Sequence, residues 1–277
     1  MNALAPAGLP RKVETPLFQK IMRRCPFRAR ILSFAVRNRL IAARQDAELF
    51  GMPTTLDLSE GIQRTMFVGA YEPAQTRWFR ECVGAGDTVV DVGASFGHYS
   101  ALAASLAGPM GRVFAFEPSP LPAASLEGMP GVELIRAALG SEPGFADLLL
   151  PGEGATLHTP SMFPSDPGFT PHRVEVMTLD QFAQDNGIDH IRMVKIDVEG
   201  FEPDVLAGMS RLIAERRIEN VVCELNSGWL AKNGTTPEEL RQTFLDLGFT
   251  VKEQTAVQQG IYGEMAFALQ DVWFSQA

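Results

Sequence analysis

Cysteine is scarce in this chain: Cys25, Cys82 and Cys223 are isolated, with no Cys-x-x-Cys pair and no histidine at ligand spacing. Neither a zinc site nor a disulfide framework is expected from them. Long apolar runs are missing too, and no stretch approaches the roughly 18 residues of a membrane-spanning helix, so no transmembrane segment is expected. Residues 1–10 lack the charged start and long apolar core of a secretory signal, which makes a cytoplasmic location the expectation. No internal repeat is evident. Positive charge is short outside an N-terminal arm: residues 1–50 hold ten Lys and Arg against three acids, the remainder fourteen against thirty, for a net charge of −9. An acidic body offers no basic face to a phosphate backbone, so the expected partner is a small-molecule or carrier-bound acceptor and not nucleic acid.

What is present suffices for one large domain with an appendage, since 45% of the 277 residues are hydrophobic and 21% charged. Two acidic, glycine-flanked segments stand out, Asp87-Thr-Val-Val-Asp-Val-Gly-Ala-Ser-Phe-Gly97 and Met193-Val-Lys-Ile-Asp-Val-Glu-Gly200. In each, a β-branched run ends in a carboxylate followed by Gly, the pattern of a parallel strand opening onto a ligand crevice. Between them Arg112-Val-Phe-Ala-Phe-Glu117 supplies another strand ending in an acid. Strands are expected at 88–92, 112–116, 132–135, 193–197 and 220–225, with two more at 249–253 and 265–274 closing the sheet as an antiparallel hairpin. Helices are expected over 73–83, from Gly97 to Gly108, over 178–185 and 203–217, and from Thr236-Pro-Glu-Glu239, an N-cap with Pro and two acids in the first turn, to Gly248.

Residues 139–177 carry six prolines between short β-like runs and read as an inserted hairpin and lid. Near the start, apolar residues Phe27, Ile31, Phe34, Ala35 and Ile41 recur among Arg28, Arg30, Arg37 and Arg39, which predicts a basic amphipathic helix from Phe27 to about Ala47, then a loop over 51–60. The organisation is therefore a basic helical extension over 1–70 and a catalytic domain over 71–277. Three readings of the basic helix stay open: a cover over the cofactor crevice or a homodimer contact, which is the plainer one, an anionic membrane-surface anchor, or a dock for an acidic partner.

Backbone N–H groups at a helix start, held tight by Gly93 and Gly97, can receive a strongly polar ligand group. The spacing is Gly-x-x-x-Gly and lacks the middle glycine that lets backbone approach a pyrophosphate, so a nucleoside without phosphates fits better. Glu117 can accept from the two ribose hydroxyls, and Asp91 can hold an ammonium group. Adenosine joined to an amino-acid zwitterion describes S-adenosyl-L-methionine.

Over about residues 69–255 the chain resembles the FkbM family of S-adenosylmethionine-dependent methyltransferases. The resemblance is carried by Tyr71-Glu-Pro73, Asp91-Val-Gly-Ala-Ser-Phe-Gly97, Gly111-Arg-Val-Phe-Ala-Phe-Glu-Pro118, Ala138-Leu-Gly140, Thr178-Leu-Asp180, Lys195-Ile-Asp-Val-Glu-Gly200 and Glu224. It implies a Rossmann-like class I methyltransferase fold, α/β, with a seven-stranded mostly parallel sheet and an antiparallel last strand. It also implies a cofactor site of Asp91, Gly93, Ala94, Ser95, Gly97, Glu117, Pro118 and Asp197, with Glu72 a further candidate and the Arg136 to Ala138 stretch, Ala137 within it, near the adenine. Ser95 stands where the family usually has Asn, and the stretch after Glu117 lacks the usual downstream Asn.

Methyl transfer to an alcohol needs alignment, exclusion of water and removal of a proton. Asp197, Glu199 and Glu224 are the catalytic candidates. For Asp197 two roles stay open: general base, or ligand for a divalent cation shared with Glu224 and Asn226. Glu199 and Lys195 have structural readings as well, as a helix cap and a carboxylate partner. His98 is read as a first-turn helix residue, while His158, His172 and His190 are read as solvated. Trp229, with Met162 and Phe163, either walls an acceptor pocket or packs beneath a loop. The leading expectation is O-methylation of a secondary metabolite, sugar or glycolipid, against a nicotinamide-dependent oxidoreductase or a non-catalytic binding module.

Overall fold

A computed structural model describes residues 17–151, 169–262 and 265–276. The chain divides into two compact units, Met1–Pro73 and Ala74–Ala277.

In the first unit, α1 (Leu17–Arg24) and α2 (Arg28–Arg37) precede a hairpin of β1 (Arg44–Leu49) and β2 (Met52–Asp57), then α3 (Gly61–Phe67). The helix expected from Phe27 to about Ala47 is therefore shorter, and its second half and the expected loop are a β-hairpin. Two left-handed residues mark the change: Arg39 at φ 56° ends the helical path, and Phe50 at φ 52° with Gly51 at φ 90° makes the tight turn that right-twisted strands favour. Gln19, buried on α1, locks that helix to the hairpin and to α3. Its Nε2 donates to the carbonyls of Glu48 and Phe67 at 3.1 and 2.9 Å, and its Oε1 accepts from the Glu48 N–H at 2.9 Å.

The second unit opens with α4 (Pro73–Cys82) and β3 (Thr88–Val92), followed by α5 (His98–Ala107), β4 (Arg112–Phe116), the short α6 (Pro120–Ala123), β5 (Val132–Ile135) and β6 (Ala137–Leu139). The insert supplies β7 (Gly144–Pro151) and β8 (Phe169–Met177), and residues 152–168 of the expected lid, with Met162, Phe163 and His158, lie outside the described residues. Next come α7 (Leu179–Asp185), β9 (Ile191–Ile196), α8 (Glu202–Ala207), α9 (Ser210–Ala214), β10 (Ile218–Asn226), α10 (Ser227–Lys232), α11 (Pro237–Asp246), β11 (Thr250–Gln254), β12 (Gln258–Tyr262) and β13 (Met265–Ser275).

The main sheet runs β11-β13-β10-β9-β3-β4-β5, with β12 paired to β13. Strands β10, β9, β3, β4 and β5 are mutually parallel, and β13 is antiparallel to β10, β11 and β12. This is the mostly parallel sheet with an antiparallel last strand that the sequence resemblance implied, enlarged from seven strands to eight by β12. Parallel strands covered on both faces are mostly apolar, and β3, β4 and β9 are buried along nearly their whole length, Asp91 and Lys195 being the buried charged exceptions. Phe114 and Phe116 meet the edge of Phe182 at 5.2 and 4.9 Å, and Phe244 stacks on Phe274 at 4.0 Å. On the other face Ala101, Ala103, Ala104 and Ala107 let α5 lie close to the sheet.

The insert forms a second sheet, order β6-β8-β7. The single helix expected over 203–217 is two, because Gly208 packs so close to the end of β6 that a Cβ there would enter the Gly140 carbonyl. The capping box at Thr236 and Glu239 starts α11 as its sequence announced.

Candidate active site

The carboxyl ends of β3, β4 and β9 meet at the point where the chain leaves β3 toward β4 on one side while β9 lies on the other, the place where α/β sheets open a crevice. A cleft with a cavity volume of about 110 Å3, partly open to solvent, occupies it. Its lining brings together Gly93, Glu117, Pro118, Ala137, Asp197 and Glu199 of the expected site residues. It adds Ala138, the end of the stretch expected near the adenine, and Phe116, Leu139, Leu148, Val198 and Phe201, among others, which were not expected site residues. The small residues of Ala137-Ala-Leu139 were the available hint, since a flat ligand needs a wall without side-chain bulk.

Gly93 sits at φ 76°, and a Cβ there would run into the carbonyl oxygen of Asp197, so only glycine lets the ends of β3 and β9 approach this closely. The Gly93 and Ala94 N–H groups both donate to the Phe116 carbonyl, at 3.0 and 3.1 Å, which ties the exit of β3 to the end of β4. Ser95 is left-handed at φ 49°, a conformation costly for a side chain other than Gly or Asn. Its N–H reaches Oε2 of Glu117 at 2.8 Å, and the Ser119 N–H reaches Oε1 at 2.8 Å. Glu117 is thereby fixed with one lone pair free on each oxygen, as two ligand hydroxyls would require. Burial lifts its pKa to about 7 against the pull of those N–H groups, and the charges of Asp91 and Asp197 add to the rise.

Asp91 lies behind this wall, 1% exposed. Its Oδ2 accepts from the Ser100 hydroxyl at 2.6 Å, while Oδ1 is buried with no hydrogen-bond partner among the described residues. Burial raises its pKa, and the nearby Lys195 ammonium opposes the rise. Gly97 at φ 81° precedes α5, where a Cβ would press into Leu126. Glu72, left-handed at φ 39°, belongs to the first unit.

Beyond β9 the backbone makes a strained turn, Glu199 at φ 53° and Gly200 at φ 101°. Glu202 holds it: its Oε1 accepts from the Val198 and Gly200 N–H groups at 3.1 and 3.2 Å, and its Oε2 is buried without a partner among the described residues. Burial lifts the Glu202 pKa to about 7. Lys195, buried, places Nζ 2.8 Å from Oδ2 of Asp197 and 5.0 Å from the Tyr99 ring centre. Glu199 is raised by burial first and then by Asp197 and Glu202, although the Trp229 side chain donates a hydrogen bond to it. Glu224, away from the cleft lining, is raised well above the carboxylate range by burial and by Asp197, Glu199 and Asp271, the last directly opposite it on β13. A carboxyl whose proton affinity is raised toward neutrality, as at Glu199, is poised to accept a proton.

Trp229 is thus buried and bonded to Glu199, and it does not line the cleft. Asn226, considered with Asp197 and Glu224 as a cation ligand, turns its Oδ1 to the N–H groups of Gly228 and Trp229 at the start of α10. Among the described residues no group of three His, Cys, Asp or Glu is spaced to hold a metal ion. His98 opens α5 and is buried, and burial followed by the Lys195 charge pushes its pKa down to about 3.

The model of the methyltransferase FkbM domain matches residues 91–251, more than half of the chain. No curated protein matches. Among solved structures, the chain is similar to a putative rRNA-methylase from Clostridium thermocellum, at 16% identity, covering 73% of this chain and 95% of that one with a TM-score of 0.40. It is similar to precorrin-6y C5,15-methyltransferase from Geobacter metallireducens GS-15, at 16% identity, 74% and 87% coverage and a TM-score of 0.41. Aeropyrum pernix fibrillarin with natively bound S-adenosyl-L-methionine follows at 12% identity, 68% and 67% coverage and a TM-score of 0.37.

The exclusion of nucleic acid drawn from net charge does not stand, since that sum does not describe the surface. The physical flaw is that the sum counts carboxyls such as Asp91, Glu117 and Glu202, which are buried and present no charge to an approaching phosphate. No described helix is long and apolar enough to cross a membrane.

Proposed function

The chain belongs to the FkbM methyltransferase domain family and is an S-adenosyl-L-methionine-dependent methyltransferase, and on that premise we propose that it methylates a hydroxyl of a secondary metabolite, sugar or glycolipid. The donor supplies an electrophilic methyl group on a sulfonium. In this reading Glu117 accepts from both ribose hydroxyls, Gly93 leaves room for the nucleoside against the β3 exit, and Ala137 to Leu139 form the flat wall beside the base. Asp91, with its buried and unpartnered Oδ1, attracts the ammonium end.

One observation supports the oxygen acceptor above others: Asp197, Glu199 and Glu224 crowd together so that Glu199 and Glu224 are raised. An alcohol is a poor nucleophile until its proton leaves, and a carboxylate with proton affinity near the working pH is the group that takes it. Asp197 pairs with Lys195, and its charge raises Glu199 and Glu224. The Val198–Gly200 turn, pinned by Glu202, presents Glu199 to the cleft. The oxidoreductase and the non-catalytic module both yield to family membership.

Labelled methyl transfer into a panel of hydroxylated acceptors, with RNA included, tests this reading. Glu199→Gln and Glu224→Gln are each expected to lower turnover while leaving donor affinity within about twofold, because neither carboxyl is assigned to the donor. A methyl group located by mass spectrometry on nitrogen or carbon overturns the proposal, as does undiminished turnover in both variants.

A further inference from the structure

The first unit carries an outward face that methyl transfer does not use. On α1 the exposed residues are Leu17, Lys20, Ile21 and Arg24, one stripe at spacings of three, one and three. On α2 they are Arg30, Ile31, Phe34 and Arg37, with Phe27 a turn before Ile31 and Arg39 and Leu40 just after. Phe27 is 74% exposed and Phe34 62%. The orientation of α1 is fixed: Gln19 faces inward and bonds three backbone groups of Glu48 and Phe67, Met22 is buried beside it, and Leu17 and Ile21 are left outside with Lys20 and Arg24. Between Glu14 and Asp46 there is no acid at all.

We propose that this face binds the surface of an anionic lipid bilayer. Exposed large apolar side chains interleaved with cations and free of acids are what such a surface selects, the apolar groups entering the acyl boundary and the Lys and Arg remaining at the phosphates. Charge complementarity favours that occupant over a second copy, which would set cations against cations. The apolar residues favour it over RNA, whose backbone is matched by cations alone. The segment is short of any spanning length, so the association is peripheral.

The test is co-sedimentation of the full chain with vesicles of phosphatidylcholine and with vesicles that also contain phosphatidylserine. Binding is expected to the anionic vesicles, weakening with salt. Arg30→Ala and Arg37→Ala should each lower the partition about fivefold, from roughly 1 kcal/mol per cation near the surface, and Phe27→Ser with Phe34→Ser should abolish it. Circular dichroism and donor binding check that the variants remain folded. Absence of binding to anionic vesicles overturns the proposal, and so does binding indifferent to Phe27 and Phe34. Salt-sensitive binding to RNA with no vesicle binding, or a dimer dispersed by the same Phe variants without vesicle binding, equally overturns it.

Discussion

The Glu117 carboxyl makes donor affinity depend on pH in a calculable way. In the free protein its pKa stands at about 7, because burial outweighs the two backbone N–H groups that favour the charged form. A ribose diol offers two donors, which the carboxylate accepts and the protonated acid accepts only in part. Binding should therefore draw on the ionised form. At about pH 6 roughly a tenth of the population is ionised, and at about pH 8 roughly nine tenths, so affinity should strengthen close to tenfold across that window, about 1.4 kcal/mol. Calorimetry with 5′-methylthioadenosine isolates the effect, since that nucleoside lacks the titrating amine of the full donor. In Glu117→Gln the amide must turn an NH2 toward the Ser95 or Ser119 N–H, leaving a buried donor unsatisfied at a cost of about 1–3 kcal/mol. Affinity should fall by tenfold or more and the pH dependence should vanish. A wild-type affinity that is flat from pH 6 to pH 8, with Glu117→Gln binding equally well, refutes the assignment.

Three further outcomes follow from the same geometry. The free protein should melt at higher temperature at mildly acid pH than at about pH 8. Glu117 and Glu202 have folded pKa values of about 7, above the usual 4.5, so the folded state binds more protons and the stability they confer, fully present below the unfolded pKa, is lost as pH rises through about 7; a melting temperature that climbs from pH 6 to pH 8 contradicts this. Gly93→Ala should abolish donor binding and destabilise the protein by more than about 1 kcal/mol, since the new methyl meets the Asp197 carbonyl at a left-handed φ; calorimetric binding at wild-type strength would rule out the close approach. Ser95→Gly should raise stability by about 1 kcal/mol by relieving the left-handed serine, read as a melting temperature higher by roughly 2–4 °C. A lower melting temperature would show that Ser95 is not strained.

Much of the second unit was legible because its strands end in chemistry. The runs ending at Val92, Phe116 and Ile196 are mostly apolar and buried, and they stop at an acid or glycine, so composition and punctuation agree. The hairpin of the first unit was not legible: inward positions of β1 include Gln45, fully buried and bonded to the Ala42 carbonyl, so no apolar alternation marks the strand. The break at Gly208 was hidden because it comes from close approach to Gly140, a contact distant in sequence. At the site, the ends of β3, β4 and β9 could be foreseen from Gly93, Glu117 and Asp197. The raised proton affinity of Glu224 could not, since it needs the fold that buries the carboxyl and gathers Asp197, Glu199 and Asp271 around it. A helix cap was one reading of Glu199, yet the carboxylate that serves the backbone here is Glu202, whose Oε1 holds a turn that only the fold around Gly200 creates.

The central claim is that the cleft between Gly93, Glu117 and Ala137 is the methyl-donor site, and a crystal structure with S-adenosylhomocysteine tests it most directly. The account predicts both ribose hydroxyls within hydrogen-bond reach of the Glu117 carboxylate, with the amino-acid end toward Asp91. Product bound elsewhere, or ribose hydroxyls facing solvent with Glu117 untouched, would contradict it.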